Sequence, residues 1–160
     1  MTSAQYYTIL KQLAETNTDL QHTDNQPHYF RGELEEFYMG LRNHVNYPAM
    51  IAEGFAITLD TSEPSSIWKR RETSFIIVKD YEDDNDYDQI DTAFNVCESI
   101  GDEVMRKLLQ LNEVQQCPSI ISSVTCQQLQ NETDKYVGIR YTFTLSEPFD
   151  NEPNEEKWLI

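Results

Sequence analysis

The stretch from Arg70 to Leu111 constrains the fold most, because it joins a buried strand to the longest amphipathic helix that the sequence predicts. Phe75–Val78 is an unbroken apolar run, which is typical of a strand covered on both faces. From Tyr87 to Leu111 apolar residues recur at intervals of three and four, which predicts a helix with one apolar face. Asp86 is expected to cap this helix, and Gln89 stands at the capping-box position.

Gly101 lies on the apolar face of this predicted helix, where glycine lowers helix propensity by about 1 kcal/mol relative to alanine. We therefore expect the helix to approach a sheet closely at Gly101. Cys97 on the same face and Cys126 in a later β-rich stretch are interpreted as small core residues rather than as nucleophiles.

The N-terminal third of the chain is predicted to be helical. Ser3–Glu15 has a helical apolar face and can be capped by Thr2 or Ser3. His28–Val45 shows the same periodicity and predicts a second helix, which a proline at position 48 should end. Ala49–Glu53 is expected to form one short helical turn.

Strands are predicted on both sides of the long helix. Phe55–Asp60 alternates between apolar and smaller residues, which indicates a half-buried strand, and Ile67–Lys79 forms the central strand described above. After the helix, Ser119–Gln130 and Tyr136–Leu145 are expected to pair as a hairpin. The resulting order, α-α-β-β-α-β-β, predicts an α+β fold with a mainly antiparallel sheet packed by one long central helix.

The length of 160 residues fits a single domain, which we assign to residues 1–145, followed by an acidic tail or arm at 146–160. The formal net charge is −16, densest at Asp80–Asp91 and Glu147–Glu156. Such a chain offers few cations for nucleic-acid phosphates, so sequence-independent binding to nucleic acid is not expected. The charge is compatible with solubility alone, with a basic partner protein, or with a surface that repels DNA.

Targeting and redox features favour a reducing cytoplasm. Met1–Gln5 has neither a cationic start nor an apolar run, so we expect no signal peptide. No window approaches the roughly 20 apolar residues of a membrane span, so no membrane association is expected. The three cysteines form no CxxC pair and no even framework, which favours free thiols.

The acidic turn that begins at Asp80 invites comparison with a calcium loop. An EF-hand loop needs glycine at its sixth position and glutamate at its twelfth, where this chain has Asn85 and Asp91. The three histidines lack the spacing of a zinc site, and no phosphate loop or nucleophile elbow is present. We therefore predict neither a metal nor another cofactor, and no enzymatic activity.

Three groups of residues are candidates for contacts with a partner. The only basic cluster in the sequence is either solvated or in contact with the acidic turn or tail of a neighbouring subunit. The end of the tail either packs on its own domain or docks on a neighbour. The candidate residues are Lys69, Arg70 and Arg71 in the basic cluster, Asp83, Asp84 and Asp86 in the acidic turn, and Trp158, Leu159 and Ile160 at the end of the tail.

The order of elements resembles that of tail-terminator (tail-completion) and related neck proteins of tailed bacteriophages. The resemblance lies in Tyr47–Ile51, in the strand, acidic turn and long helix at Thr73–Leu111, and in the closing strand Tyr136–Leu145, and it covers most of Ala4–Leu145. It implies a virion structural protein that forms a ring, usually of six copies, at the head-proximal end of the tail tube. Such a ring stops tube polymerisation and joins tail to head.

The resemblance also implies the partners: further copies of the chain, tail-tube proteins and neck or connector proteins. DNA passes through such a ring without specific binding, which an acidic lumen would suit. The protein would reside in the host cytoplasm during assembly and then in the virion. Two alternatives differ in class: an acidic cytoplasmic immunity or inhibitor protein that binds a basic toxin or nuclease, and a metal-dependent hydrolase that uses the acidic turn.

Overall fold

The computed structural model describes residues 1–34, 45–63, 66–114 and 119–150, together with Glu152 and Lys157. Within this part of the chain, two helices pack on one sheet of six strands. The helices are α1 (Ser3–Thr16) and α2 (Tyr87–Glu113). The strands are β1 (Tyr29–Arg31), β2 (Ala49–Ala52), β3 (Ala56–Asp60), β4 (Trp68–Asp80), β5 (Ile120–Asn131) and β6 (Tyr136–Pro148).

The sheet follows the order β1-β2-β4-β6-β5, and β3 pairs with β4 beyond the end of β2. β1 and β2 are parallel, and the other pairings are antiparallel. The predicted α+β class is confirmed, although the sheet is mixed. The element order of the described residues is α-β-β-β-β-α-β-β, which differs from the prediction in its first half.

Helix α1 begins as its sequence predicts. The Thr2 hydroxyl accepts a hydrogen bond from the backbone N–H of Gln5 at 3.2 Å, and the Gln5 side chain accepts one from the N–H of Thr2 at 2.8 Å. This reciprocal capping box satisfies two N–H groups that the helix leaves free. Tyr6 and Leu10 are fully buried, and α1 packs on β1 and β2.

Helix α2 also matches its prediction, but the role of Gln89 differs. The Asp86 carboxylate accepts a hydrogen bond from the N–H of Gln89 at 3.0 Å and so caps the helix. The Gln89 side chain does not bond back to Asp86; it accepts bonds from the N–H groups of Glu82 and Asp83 at 2.8 and 3.1 Å. Gln89 therefore fastens the acidic turn to the first turn of α2.

Both helices lie on one face of the sheet and share one apolar core with it. Phe75 of β4 stacks on Tyr141 of β6 at a centroid distance of 5.0 Å, next to the buried Phe143. The opposite face carries a smaller cluster around Ile51 and Ile76. No helix in the described residues is long and apolar enough to cross a membrane.

In the segment that precedes β3, one helical prediction fails and another is tested only at its start. The first residues of the predicted helix His28–Val45 contain the strand β1 instead, and residues 35–44 lie outside the described residues. Ala49–Glu53 contains the strand β2, whose four residues are fully buried between β1 and β4. Short apolar runs fit either a strand or a buried helix, and here the pairing with distant strands decides.

The predicted strand Phe55–Asp60 exists as β3, but it is not half-buried. Ile57 and Leu59 are 54% and 47% exposed. β3 pairs with the first part of β4, past the end of β2, and no described strand pairs with its other side. The predicted tail also begins too early: β6 runs to Pro148, so 146–148 belong to the sheet. The N–H of Phe149 then bonds to the carbonyl of Ile67 at 2.9 Å.

Candidate assembly surface

The β5 edge, which we define as the outward side of β5, is the longest exposed strand in the described residues. β5 closes the sheet next to β6, and nine of its twelve residues are exposed. None of its residues is charged, although a quarter of the whole chain is. Exposed edge strands of soluble proteins usually carry charges or proline that prevent pairing with another chain. The composition of β5 is therefore that of a strand suited to pairing.

A bulge divides this edge. The pairing of β5 with β6 shifts between Ser122 and Thr125, and Ser123 adopts a positive φ of 55°. Such a bulge adds twist to a strand and bends it locally. Two apolar side chains remain open to solvent here, Ile120 before the shift at 55% exposure and Val124 within it at 39%.

The β3 edge, which is the outward side of β3, is another edge with which no described strand pairs. Besides the exposed Ile57 and Leu59, it has one charged residue, Asp60. The Asp60 carboxylate contacts Arg70 at 2.7 Å and accepts hydrogen bonds from the hydroxyl and N–H of Ser62. The bonds from Ser62 are the main reason that the pKa of Asp60 is lowered. The β3 edge is thus apolar, and its single acid already has a cation.

The basic cluster predicted as a partner contact is divided by the fold. Arg70 is exposed and forms the ion pair with Asp60, whereas Lys69 is half-buried. Arg71 is only 7% exposed, and its guanidinium donates to the Glu147 carboxylate at 2.5 Å. Arg71 therefore has an internal role in this structure, and Lys69 and Arg70 remain predicted contact residues.

Glu147 joins the chain's N-terminus to the sheet. Its carboxylate accepts from Arg71 and contacts the Met1 amine, and the Ser119 hydroxyl donates to it at 3.2 Å. Burial by itself raises the pKa of Glu147, but the hydrogen bonds from the Met1 amine and Arg71 outweigh burial and lower this pKa to about 2. These charges hold the end of β6 against β4.

The acidic turn is exposed from Glu82 to Asp88. Asp83 accepts a bond from the N–H of Asn85 at 2.9 Å, Asp84 lies 3.8 Å from the ammonium of Lys135, and Asp86 caps α2. No group of three or more potential metal-ligating side chains converges within the described residues. The three predicted contact residues of this turn are thus exposed, and each has a local interaction within the chain.

A polar cleft on the face opposite the helices contains an ion pair that the sequence analysis missed. Glu53, only 6% exposed, accepts a bond from Arg140 at 2.9 Å and a short one from the Ser74 hydroxyl. The cleft has a volume of about 450 Å³ and also borders Glu72 and Thr142. Glu53 and Arg140 are each the single charged residue in an otherwise uncharged run, and this was the signal in the sequence that could have indicated them. Both partners of Glu53 hold it in the sheet, so its carboxylate has a structural role here.

The remaining predicted sites are the cysteines and the end of the tail. Cys97 is fully buried, as expected, and burial raises its pKa to about 12, which suppresses thiolate formation. Cys126 was predicted to be a core residue, which is wrong, because it is exposed on β5. Trp158, Leu159 and Ile160 lie outside the described residues, as does Cys117.

A scan against models of protein families finds no match for this chain. A search of curated proteins likewise finds no significant match. The features that indicate a function are therefore the fold, the charge and the β5 and β3 edges.

Proposed function

We propose that this chain is a structural protein of tailed bacteriophages or prophages, of the tail-terminator or neck type. In this role, copies of the chain assemble into a ring, of six by resemblance to that class, that caps the tail tube and joins it to the head. The proposed partners are further copies, tail-tube proteins and connector proteins, and the proposed location is the virion after assembly in the host cytoplasm.

The observation that carries the proposal is the uncharged β5 edge. A molecule with a net charge of −16 repels its own copies across most of its surface, so an exposed twelve-residue strand without charge is the exception. Main-chain groups on such an edge can pair with a strand from another molecule. A protein that assembles with itself and lets DNA pass has a use for both features.

Deletion of the gene from the genome that encodes the protein tests this role. We expect the lysate to contain heads and tail tubes that are not joined, and tubes of irregular length by electron microscopy. Complementation with the intact chain should restore joined particles. Normal infectious virions from the deletion strain would exclude the proposal.

The alternative function is an acidic immunity or inhibitor protein for a basic toxin or nuclease, and the exposed acidic turn is the observation that favours it. The two functions respond oppositely to salt. Salt screens repulsion between acidic copies and should strengthen self-association, whereas it should weaken a complex with a basic partner. Light scattering of the purified chain between low and high salt separates the two: association that strengthens with salt supports assembly.

A further inference from the structure

We propose that the β5 edge of one copy pairs antiparallel with the β3 edge of the next copy, so that copies join side by side through a continuous sheet. This inference rests on the proposed function, because it names the surfaces through which the copies of a ring contact each other. It concerns residues Ala56–Asp60 on one side of the sheet and Ile120–Asn131 on the other.

Strand direction supports this pairing. β3 is antiparallel to β4, β4 is antiparallel to β6, and β6 is antiparallel to β5. Three antiparallel steps therefore separate the two edges, which run in opposite directions. When two copies in the same orientation stand side by side, β5 of one meets β3 of the other as an antiparallel neighbour, the arrangement that dominates this sheet.

The two edges also lie at the same level along the strands. Ile57 pairs with Arg71, Arg71 with Leu145, and Leu145 with Ile121, so one row crosses the sheet from edge to edge. By the same pairings, Ala56–Thr58 lies level with Ile120–Ser122. β1 lies outside β2 at the level of Phe75–Ile77, where it would overlap the β5 of a neighbour in an unshifted position. The neighbouring copy must therefore be displaced along the strands so that the second half of its β5 faces β3, and such a stagger is usual where sheets curve into closed rings.

Charge identifies a second copy, rather than a basic protein, as the occupant. A basic partner gains most at the exposed acidic turn and no electrostatic attraction from an uncharged strand. A second copy, itself at −16, is repelled at acidic surfaces and least opposed where β3 and β5 meet. The only charged side chain on these two strands is Asp60, which Arg70 of the same copy neutralises at 2.7 Å.

The pairing of unlike edges has a consequence for assembly. Each added copy offers a free β3 edge at one side and a free β5 edge at the other, so the contact repeats from copy to copy. A repeating contact of this kind closes into a ring when the rotation between neighbours allows it. Pairing of β5 with β5 would instead give closed dimers.

Two blocked variants and a matched control test the proposal. The β5-blocked variant carries Thr125→Glu and Gln127→Glu, and the β3-blocked variant carries Thr58→Glu and Leu59→Glu. The control carries Asn95→Glu and Ser99→Glu on the exposed side of α2, which changes the net charge equally away from both edges. Circular dichroism and thermal unfolding first establish that all three remain folded.

Light scattering at matched concentrations and several salt concentrations then gives the oligomeric state. We expect the intact chain and the control to associate. Each blocked variant alone should associate at least about tenfold more weakly, because unpaired charge opposes strand pairing. An equimolar mixture of the two blocked variants should form a one-to-one dimer. One partner contributes an intact β3 edge and the other an intact β5 edge.

Three results would overturn the inference. Dimers of the β3-blocked variant alone would show that β5 pairs with itself, and full assembly by both blocked variants would place the contact elsewhere. A strictly monomeric intact chain at all concentrations would also exclude it. The deletion experiment on tail assembly is independent of these outcomes, so the tail function can survive the failure of this particular interface.

Discussion

Gly101 of α2 lies directly against the ring of Tyr141 in β6. A Cβ atom added to Gly101 would stand 2.1 Å from Cε2 of Tyr141 and 2.8 Å from its hydroxyl oxygen. The Tyr141 hydroxyl donates to the Asp102 carboxylate at 2.8 Å, one residue along the helix. The absence of a side chain at Gly101 therefore allows the longest helix to reach the centre of the sheet.

Gly101→Ala is expected to destabilise the protein despite the better helix propensity of alanine. Overpacking a filled core costs about 1–3 kcal/mol, and the propensity gain of about 1 kcal/mol offsets only part of it. The free energy of unfolding in urea measures the effect. In a Tyr141→Leu background, which removes the ring, the same substitution should cost much less or become favourable. An equal cost in both backgrounds would show that the clash with Tyr141 is not the cause.

The parts of the fold that the sequence predicted correctly are long and periodic. α2 and β6 each repeat one pattern over enough residues that local chemistry decides their structure. The short strand β2 failed because its state depends on pairing with β1 and β4. A four-residue apolar run does not contain that information.

Functional residues were harder to predict because the structure defines them by distant contacts. Glu53 and Arg140 stand 87 residues apart, and neither position has a local pattern that indicates the other. The β5 edge is different: the absence of charge in Ile120–Asn131 is visible in the sequence. Its meaning emerges only when the topology places that strand at the edge of the sheet, where absence of charge is unusual.

The N-cap of α2 gives a second prediction. Asp86→Ala should lower the free energy of unfolding by about 1 kcal/mol, because it removes the acceptor for the N–H of Gln89. Asp86→Asn should be nearly neutral, since asparagine caps equally well. Asp88→Ala in the first turn is the matched control and should cost only a few tenths of a kcal/mol through the helix dipole. Equal losses for the alanine variants of Asp86 and Asp88 would contradict a specific capping role.

The buried pair of Glu53 and Arg140 gives a third prediction. Arg140→Met should cost about 3 kcal/mol, because it leaves the Glu53 carboxylate, 7% exposed at its side chain, without its cation. Adding Glu53→Gln to that variant should recover part of the loss, since the amide can still accept a hydrogen bond from Ser74. Urea unfolding of the two single variants and the double variant gives the coupling energy. Strict additivity would show that the two charges do not depend on each other.

The charge network around Glu147 gives a prediction about pH. The pKa of Glu147 is lowered from 4.5 to about 2 in the folded chain, so its ionised form binds protons less readily there than in the unfolded chain. The stabilisation is therefore fully present above pH 4.5 and is lost as the pH falls towards 2. Because a pKa change of one unit corresponds to about 1.4 kcal/mol, the contribution amounts to a few kcal/mol at neutral pH.

Glu147→Gln should remove that contribution and leave the Met1 amine and Arg71 without an anion between them. The difference in unfolding free energy between the intact chain and the variant should be largest near pH 7 and should shrink between pH 4.5 and pH 3. Taking this difference cancels the acid sensitivity that other carboxylates give both proteins. The exposed Glu103→Gln, on the outer side of α2, is the control and should show a small difference at every pH. A difference in unfolding free energy between the intact chain and Glu147→Gln that stays constant with pH would exclude the ionised carboxylate as the source of the stabilisation.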